Sequence, residues 1–495
     1  MKRKIPDEIA KTKEFTELSK QTEEQLDVKR YSMDDTGNAD RFIDTWGSLT
    51  RYCNPDRTFY HYDGKVWKED GMAVTRNLLD KTIEAMAKEP VIYHEGAKPD
   101  EIKKLIEAKA KFVTRSRNNN SKEAVMREIR HRVPVLMPQF DEDIYALNVQ
   151  NGWIDLNTGE LKPHDPNKLF SKIAGAEYNE DPCAEWIAFL YKIFDGDTEI
   201  IKFMQTLIGY SMIGKNLEQK IIFLYGSKGN NGKSVLLKIL ESLFGSYKRT
   251  VAPADLMRKK SGGNTGHTDA IAAMAGARLV TSSEPEKGYR LSEGVIKSMT
   301  GDDTISASFK GKSGFEFQPQ NTIFLACNHI PQMNAGSTDN PTWKRVVIVP
   351  FDVQIPDNEI DTHLGERIIK NELSGVMRWA IEGLKNYQKN GLVIPKKVQE
   401  ASKKEREEMD EINDFIQEVL QPLPNGEIAT SEVHKLYVEW TKDHGKNWAM
   451  EQTELTKDLR GRNLLIKRKT KGNYLVGYVS REKNQYSENR YKGYR

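Results

Sequence analysis

Cysteine is scarce in this chain. Cys53, Cys183 and Cys327 are the only 3 among 495 residues, with no C-x-x-C pair and no Cys/His cluster at zinc spacing. That argues against a disulfide-framed fold and a structural zinc module, and it suits a reducing compartment. No apolar run approaches the roughly 20 residues a membrane-spanning helix needs. The opening residues, MKRKIPDEIAKTKEF, carry no apolar stretch behind their basic start, so they do not read as a signal peptide. Nor is there an excess of one charge: 75 Lys and Arg face 72 Asp and Glu, a net charge of +3. Nucleic-acid binding must therefore be argued from local patches. The expectation is a soluble, cytoplasmic protein with no membrane partner, long enough for several domains.

What the chain does have is Ile221–Leu237, IIFLYGSKGNNGKSVLL. A continuous apolar run reads as a buried parallel strand, then a Gly/Asn loop, then a helix opening at Lys233 and running to Phe244. Strand, glycine loop and helix N-terminus converge free N–H groups and a helix dipole on an anion. In this reading Gly226, Ser227, Lys228, Gly229, Asn230, Asn231, Gly232, Lys233, Ser234 and Val235 bind a nucleotide. Lys233 reaches the β/γ-phosphates, and the Ser234 hydroxyl takes a place on Mg²⁺. The spacing departs from G-x-x-x-x-G-K-S: Gly226 lies one residue too far from Gly232.

Three further strands follow. Arg278–Ser283 ends at Glu284, the lone carboxylate there, suited to Mg²⁺ and to orienting an attacking water. Thr322–Cys327 ends at Asn328, either a turn residue or a polar sensor of the γ-phosphate. VVIVPF follows Trp343-Lys344-Arg345, where an arginine near a subunit boundary would stabilise transition-state charge in trans. Between them Thr304–Phe317 predicts a β-hairpin with Lys310 and Lys312 at its tip.

On the N-terminal side, residues 1–30 form a lone helix or a loose arm. FYHYDGKVWKED predicts a hairpin turning at Asp63-Gly64. Pro99–Arg132 predicts two charged helices, whose Arg115, Arg117, Lys122, Arg127, Arg130 and Arg132 form a solvated face or a phosphate contact. Asp141 and Asp143 make a D-x-D pair, common in loops and also usable by a two-metal site. Ala184–Met212 carries two amphipathic helices, either a collar or core helices. Beyond the charged helix Lys396–Asp414, three helices (Phe415–Leu420, Ser431–Asp443, Glu451–Arg462) and a hairpin suggest a winged helix-turn-helix. Its basic set is Lys457, Arg460, Arg462, Lys467, Arg468, Lys469 and Lys471.

Taken together, GSKGNNGKS, ARLVTSSE, LSEGVIKSMTGDDTISA, FLACNHIP and WKRVVIVPF, with DDTGNADRF, NVQNGWIDLNTGELKPHD and YNEDPCAEW upstream, resemble the superfamily 3 helicases. The resemblance is to the family in phages, plasmids and large DNA viruses, and in particular to its poxvirus-type primase-helicases. It covers residues 34–480. It implies an α/β multidomain protein with an AAA+ P-loop core, a mixed α+β N-terminal module and a C-terminal winged helix. The implied boundaries are an arm (1–30), a helicase-associated module (31–183), a helical collar (184–219) and an ATPase domain (220–395). A linker helix (396–412), a winged helix (413–480) and a tail (481–495) complete them. The implied activity is ATP- and Mg²⁺-dependent unwinding of forked DNA by a homo-hexamer translocating 3′ to 5′ on single-stranded DNA. By this resemblance Ser234 and Glu284 serve the metal, Glu284, Asn328 and Arg345 are catalytic, and Arg345 is the trans finger. Lys310 and Lys312 grip DNA in the pore, while Lys457, Arg460, Lys467 and Arg468 contact DNA outside it. Lys344 stands where relatives often carry a second arginine. A separate primase or polymerase is expected as partner, and a bacterial host cytoplasm as location. Two other classes stay open: an origin-binding initiator that melts its own origin, and a non-enzymatic nucleotide switch.

Overall fold

The computed structural model describes residues 31–70, 73–94, 96–258, 268–282, 290–291, 293–308, 314–331, 333, 342–445 and 449–481. Glu284, Lys310, Lys312, the arm 1–30 and the tail beyond Arg481 lie outside the described residues. The chain is a mixed α/β, multidomain molecule built around a parallel sheet.

Residues 31–140 have a hydrophobic core of their own, centred on Phe42, Phe59, Trp67, Leu79 and Ile129. Helix Asp35–Trp46 starts at Asp34, whose carboxylate accepts the Gly37 amide at 2.7 Å. The expected hairpin pairs Thr58–Tyr62 with Trp67–Glu69, and Asp63 closes its turn by accepting the Lys65 and Val66 amides at 2.9 Å. Helices Pro99–Ser116 and Asn119–Arg130 replace the charged stretch. Part of its basic set is internal bracing: Lys122 pairs with Asp80, Arg132 with Asp40 and Glu128, and Arg130 stacks over Tyr52. Arg115, Arg117 and Arg127 remain exposed.

The expected module 31–183 divides near residue 140. Strands Ala146–Val149, Gly152–Asp155 and Glu160–Lys162 form a meander whose Leu147, Val149, Ile154 and Leu156 join the core of the central sheet. Fully buried Arg278 fixes this junction. Its guanidinium donates to the carbonyls of Met212 (2.5 Å) and Ala146 (2.7 Å) and lies 4.7 Å over Tyr247. Asp141 and Asp143 belong to the same junction. Asp141 accepts the Ser171 amide at 3.0 Å and pairs with Lys172, and Asp143 pairs with Lys168. They brace a loop, and among the described residues no cluster of three or more metal-ligating side chains occurs.

The central sheet has five parallel strands in the order Val346–Pro350, Ile221–Tyr225, Thr322–Cys327, Leu279–Ser282, Lys248–Val251. Alternate side chains enter two cores. Ile222, Leu224 and Phe324 face helices Ala184–Ile193, Thr198–Tyr210, Lys233–Phe244 and Leu373–Asn390. Ile221, Phe223, Val280 and Ile323 face helix Glu293–Thr300. The helices expected as a collar thus share a core with the sheet. Where Thr198–Tyr210 crosses Leu373–Asn390, a Cβ on Gly383 would fall 2.0 Å from the Gln205 carbonyl oxygen, and one on Gly209 would fall 2.2 Å from that of Ala380. Only glycine permits that approach.

The charged helix spans Lys396–Glu408 and covers the sheet edge at Val346–Pro350, where Ser402 Oγ accepts the Ile348 amide at 3.0 Å. A separate helix starts at Glu411. The C-terminal unit holds helices Glu411–Val419, Thr430–Asp443 and Gln452–Gly461 with a three-stranded antiparallel sheet ordered Leu420–Ala429, Gly472–Ser480, Ile466–Lys469. The first of these strands is unexpected from sequence. It contains Pro422, Pro424 and Asn425-Gly426, and it lies at an edge, where proline is tolerated. Among the described residues no helix is long and apolar enough to cross a membrane.

Candidate nucleotide site

The glycine loop leaves the C-terminal end of Ile221–Tyr225 and enters helix Lys233–Phe244 at Gly232. Gly232 has φ +84°, and a Cβ there would lie 2.5 Å from Ile193 Cγ2, so both backbone and space require glycine. The extra loop residue is absorbed at Asn230, which adopts a left-handed φ of 56°. Its carbonyl accepts the Ile355 amide at 2.8 Å, and its side-chain amide donates to Asp357 at 3.0 Å. Asn231 is buried and donates to the Lys228 carbonyl at 2.7 Å.

By helix geometry the amides of Lys233, Ser234 and Val235 have no intrahelical acceptor, and no acidic side chain occupies the first turn. The helix dipole adds partial positive charge there. These three residues, with Asn230, Asn231 and Gly232, line a cavity of about 430 Å³. Its opposite wall is apolar: Ala188 and Phe189 from helix Ala184–Ile193, then Ile355, Ile360 and Leu364. The rim is held by ion pairs, Lys192 with Glu359 and Arg367 with Asp361 and Glu185. A polar, amide-lined end beside an apolar wall suits a phosphorylated ligand with a flat apolar group, and the volume is that of a small-molecule pocket. Exposed Ser234 and the glycine cradle fit a phosphate-bound Mg²⁺.

Lys233 is buried, and its ammonium donates to the Gly226 carbonyl at 2.9 Å and to Asn328 Oδ1 at 2.8 Å. Two residues separated by 95 positions thus meet at the head of the sheet. Thr322–Cys327 lies directly beside Ile221–Tyr225, with Cys327 level with Tyr225. The strand leading toward Glu284 lies one place further, with Ser282 level with Leu325. At about 4.8 Å per strand, its end is displaced from the glycine-loop strand by roughly 10 Å.

Arg345 is at the other end. Val346 is level with Ile221, so Arg345 sits beside Lys220, about 16 Å of strand away from the glycine loop. Its guanidinium donates to Thr300 Oγ1 at 3.1 Å, and the Lys220 ammonium holds the adjoining turn through the Lys344 carbonyl at 2.7 Å. The hairpin stems of the Lys310/Lys312 segment are present as Ile305–Ala307 and Phe315–Phe317, antiparallel.

Of the C-terminal basic set, Lys457, Arg460, Lys467, Arg468 and Lys471 are exposed. Arg462 is not a surface cation. It donates to both carboxylate oxygens of Asp410 at 2.7 and 2.5 Å and to Asp458 at 2.5 Å, tying the end of helix Gln452–Gly461 to the start of helix Glu411–Val419. Lys469 pairs with Glu427. Sequence reasoning missed the wall Ile355–Leu364, which has no periodicity or motif, and Glu372, whose carboxylate caps helix Ala184–Ile193 through the Glu185 and Trp186 amides at 3.0 and 2.9 Å.

Two family models match the chain, one on each side of the glycine-loop strand's start. Residues 39–195 match the D5 N terminal like family. This D5 N-terminal-like region takes in residues 31–183 of the expected module almost whole and ends just past the first helix beneath the sheet. Residues 224–345 match a family of unknown function (DUF5906), a span that runs from the glycine-loop strand to Arg345. Among curated proteins, the helicase-named L207/L206 protein of Acanthamoeba polyphaga mimivirus is 26% identical over 419 residues, covering 78% of this chain and 43% of that protein. The helicase-named 022R protein of Frog virus 3 (isolate Goorha) is 25% identical over 279 residues, covering 52% of this chain and 28% of that protein. The chain therefore spans less than half the length of these relatives. Among solved structures, the apo C-terminal region (305–718) of NrS-1 aligns with a TM-score of 0.47 at 11% identity, over 87% of this chain and 96% of that one.

Proposed function

We propose that this chain is the motor of a viral or phage replicative DNA helicase, an AAA+ ATPase of superfamily 3 that works as a hexameric ring. The observation that carries the reading is the Lys233–Asn328 contact at the head of the parallel sheet. A phosphate-binding lysine and a polar sensor held within hydrogen-bond distance are what γ-phosphate recognition needs. The strand order supports it: Thr322–Cys327 lies between the glycine-loop strand and Leu279–Ser282, which puts Asn328 at the end of the strand beside the loop. The helicase names of the viral relatives point the same way.

In this mechanism Lys233 and the amides of the first helical turn hold the triphosphate; Ser234 and Glu284 would hold Mg²⁺, which would supply neutralising charge at the phosphates. Glu284 takes the proton of the attacking water. Arg345, too far from its own chain's loop, completes the neighbouring subunit's site. Lys310 and Lys312 grip the DNA backbone through charge alone, so binding is sequence-independent and salt-sensitive. The C-terminal unit, in its order helix, strand, helix, helix, strand, strand, reads as a winged helix presenting Lys457, Arg460, Lys467 and Arg468 to DNA. That unit also suits an origin-binding initiator, and footprinting separates the two roles by the presence of protected repeats. The testing variant is Lys233→Ala, which abolishes ATP hydrolysis and unwinding together. Turnover retained in that variant refutes the site.

A further inference from the structure

Arg345 contacts Thr300, five residues before the hairpin stem Ile305–Ala307 begins in the same subunit. Thr300 is the last residue of helix Glu293–Thr300 and is fully buried. Its hydroxyl donates to the Ile296 carbonyl at 2.6 Å, which aims a lone pair outward, and that oxygen accepts Arg345 Nη1 at 3.1 Å. The Thr300 carbonyl lies 3.5 Å from the same nitrogen. Five residues later the hairpin stem begins at Ile305, and between them Asp302 pairs with Lys215 at 3.6 Å. The helix is anchored to the sheet by Ile296 and Met299, in the core that also holds Trp343, Val346 and Ile348. Its last turn is therefore the point where the arginine and the hairpin root share a support.

We propose that Thr300 is a positioning residue that couples the trans-acting arginine to the DNA hairpin. This rests on the reading of Arg345 above. In the resting subunit Thr300 holds the guanidinium back along the sheet. When Arg345 extends to the neighbour's γ-phosphate it leaves Thr300, and the freed helix end lets the hairpin root shift. DNA pulling on the hairpin moves the same helix end and releases the arginine, which is why DNA would stimulate turnover. A charged guanidinium cannot be left idle in a half-buried site, so the contact is exchanged for the phosphate.

The experiment measures ATP turnover and KM of the full chain with and without single-stranded DNA for wild type, Thr300→Val, Thr300→Ser and Arg345→Ala. Valine keeps the shape of threonine and removes the acceptor. It should raise DNA-independent kcat by roughly ten- to hundredfold, the worth of one charge-assisted hydrogen bond, and abolish the DNA-stimulated increment with little change in KM. Serine retains the hydroxyl and should restore wild-type stimulation. Thr300→Val with an unchanged stimulation ratio overturns the coupling, as does a serine variant that behaves like valine. Arg345→Ala separates the two levels: loss of turnover beside a wild-type-like Thr300→Val sinks the coupling alone, whereas retained turnover sinks the finger and the coupling together.

Discussion

Replacing Asn328 by alanine tests the site at its decisive contact. The Lys233 ammonium is buried and donates to Gly226 O and Asn328 Oδ1, at 2.9 and 2.8 Å. A hydrogen bond to a charged group contributes about 1.5–3 kcal/mol, equal to roughly ten- to hundredfold in rate when it acts in the transition state. Gly226 still holds the lysine, so ground-state binding of ATP changes less than turnover. The expected result in a steady-state phosphate-release assay is kcat reduced by about ten- to hundredfold with KM within about threefold. Asn328→Asp should also fail, because a carboxylate would bind the ammonium too firmly to let it follow the phosphate. Turnover of Asn328→Ala within a factor of two of wild type would refute the sensor assignment, as would a loss confined to KM.

Three further outcomes follow from particular residues. Burial holds the His61 imidazole below its ordinary value, so the unfolded chain binds the extra proton and the stability of residues 31–140 falls as pH drops below about 6.5; thermal melts at pH near 7.5 and 5.5 should differ, and His61→Phe should flatten the difference. Gly383→Ala places a Cβ against the Gln205 carbonyl and should cost about 1–3 kcal/mol in denaturant melts, without altering the Asn328 variant's kinetic signature. Lys467→Ala with Arg468→Ala removes two exposed cations and should reduce the slope of log K against log salt for duplex DNA by about 2, leaving basal ATP hydrolysis intact.

How much of this was legible in advance depended on whether the signal was local. The glycine-loop strand, its helix and the strand ending at Asn328 read directly, because a buried parallel strand is a continuous apolar run and its end is marked by a polar residue. The hairpin turn at Asp63-Gly64 read because an Asp-Gly pair is itself a local turn signal. The strand Leu420–Ala429 did not, since its prolines and Asn-Gly imitate a turn until Gly472–Ser480 arrives beside it from some 50 residues away. The division near residue 140 was hidden because the meander Ala146–Lys162 finds its partners at Arg278 and Tyr247. The apolar wall Ile355–Leu364 becomes a wall only when Asn230 folds left-handed and takes the Ile355 amide. Arg462 looked like one more DNA contact, and its carboxylate partners, Asp410 and Asp458, decide otherwise.

Strand separation measured on forked duplexes with a single 3′ or 5′ tail addresses the central claim most directly. The account predicts ATP-dependent unwinding of the 3′-tailed substrate, none without nucleotide, and none by Lys233→Ala. No ATP-dependent unwinding of either fork, or unwinding that survives in Lys233→Ala, would contradict it.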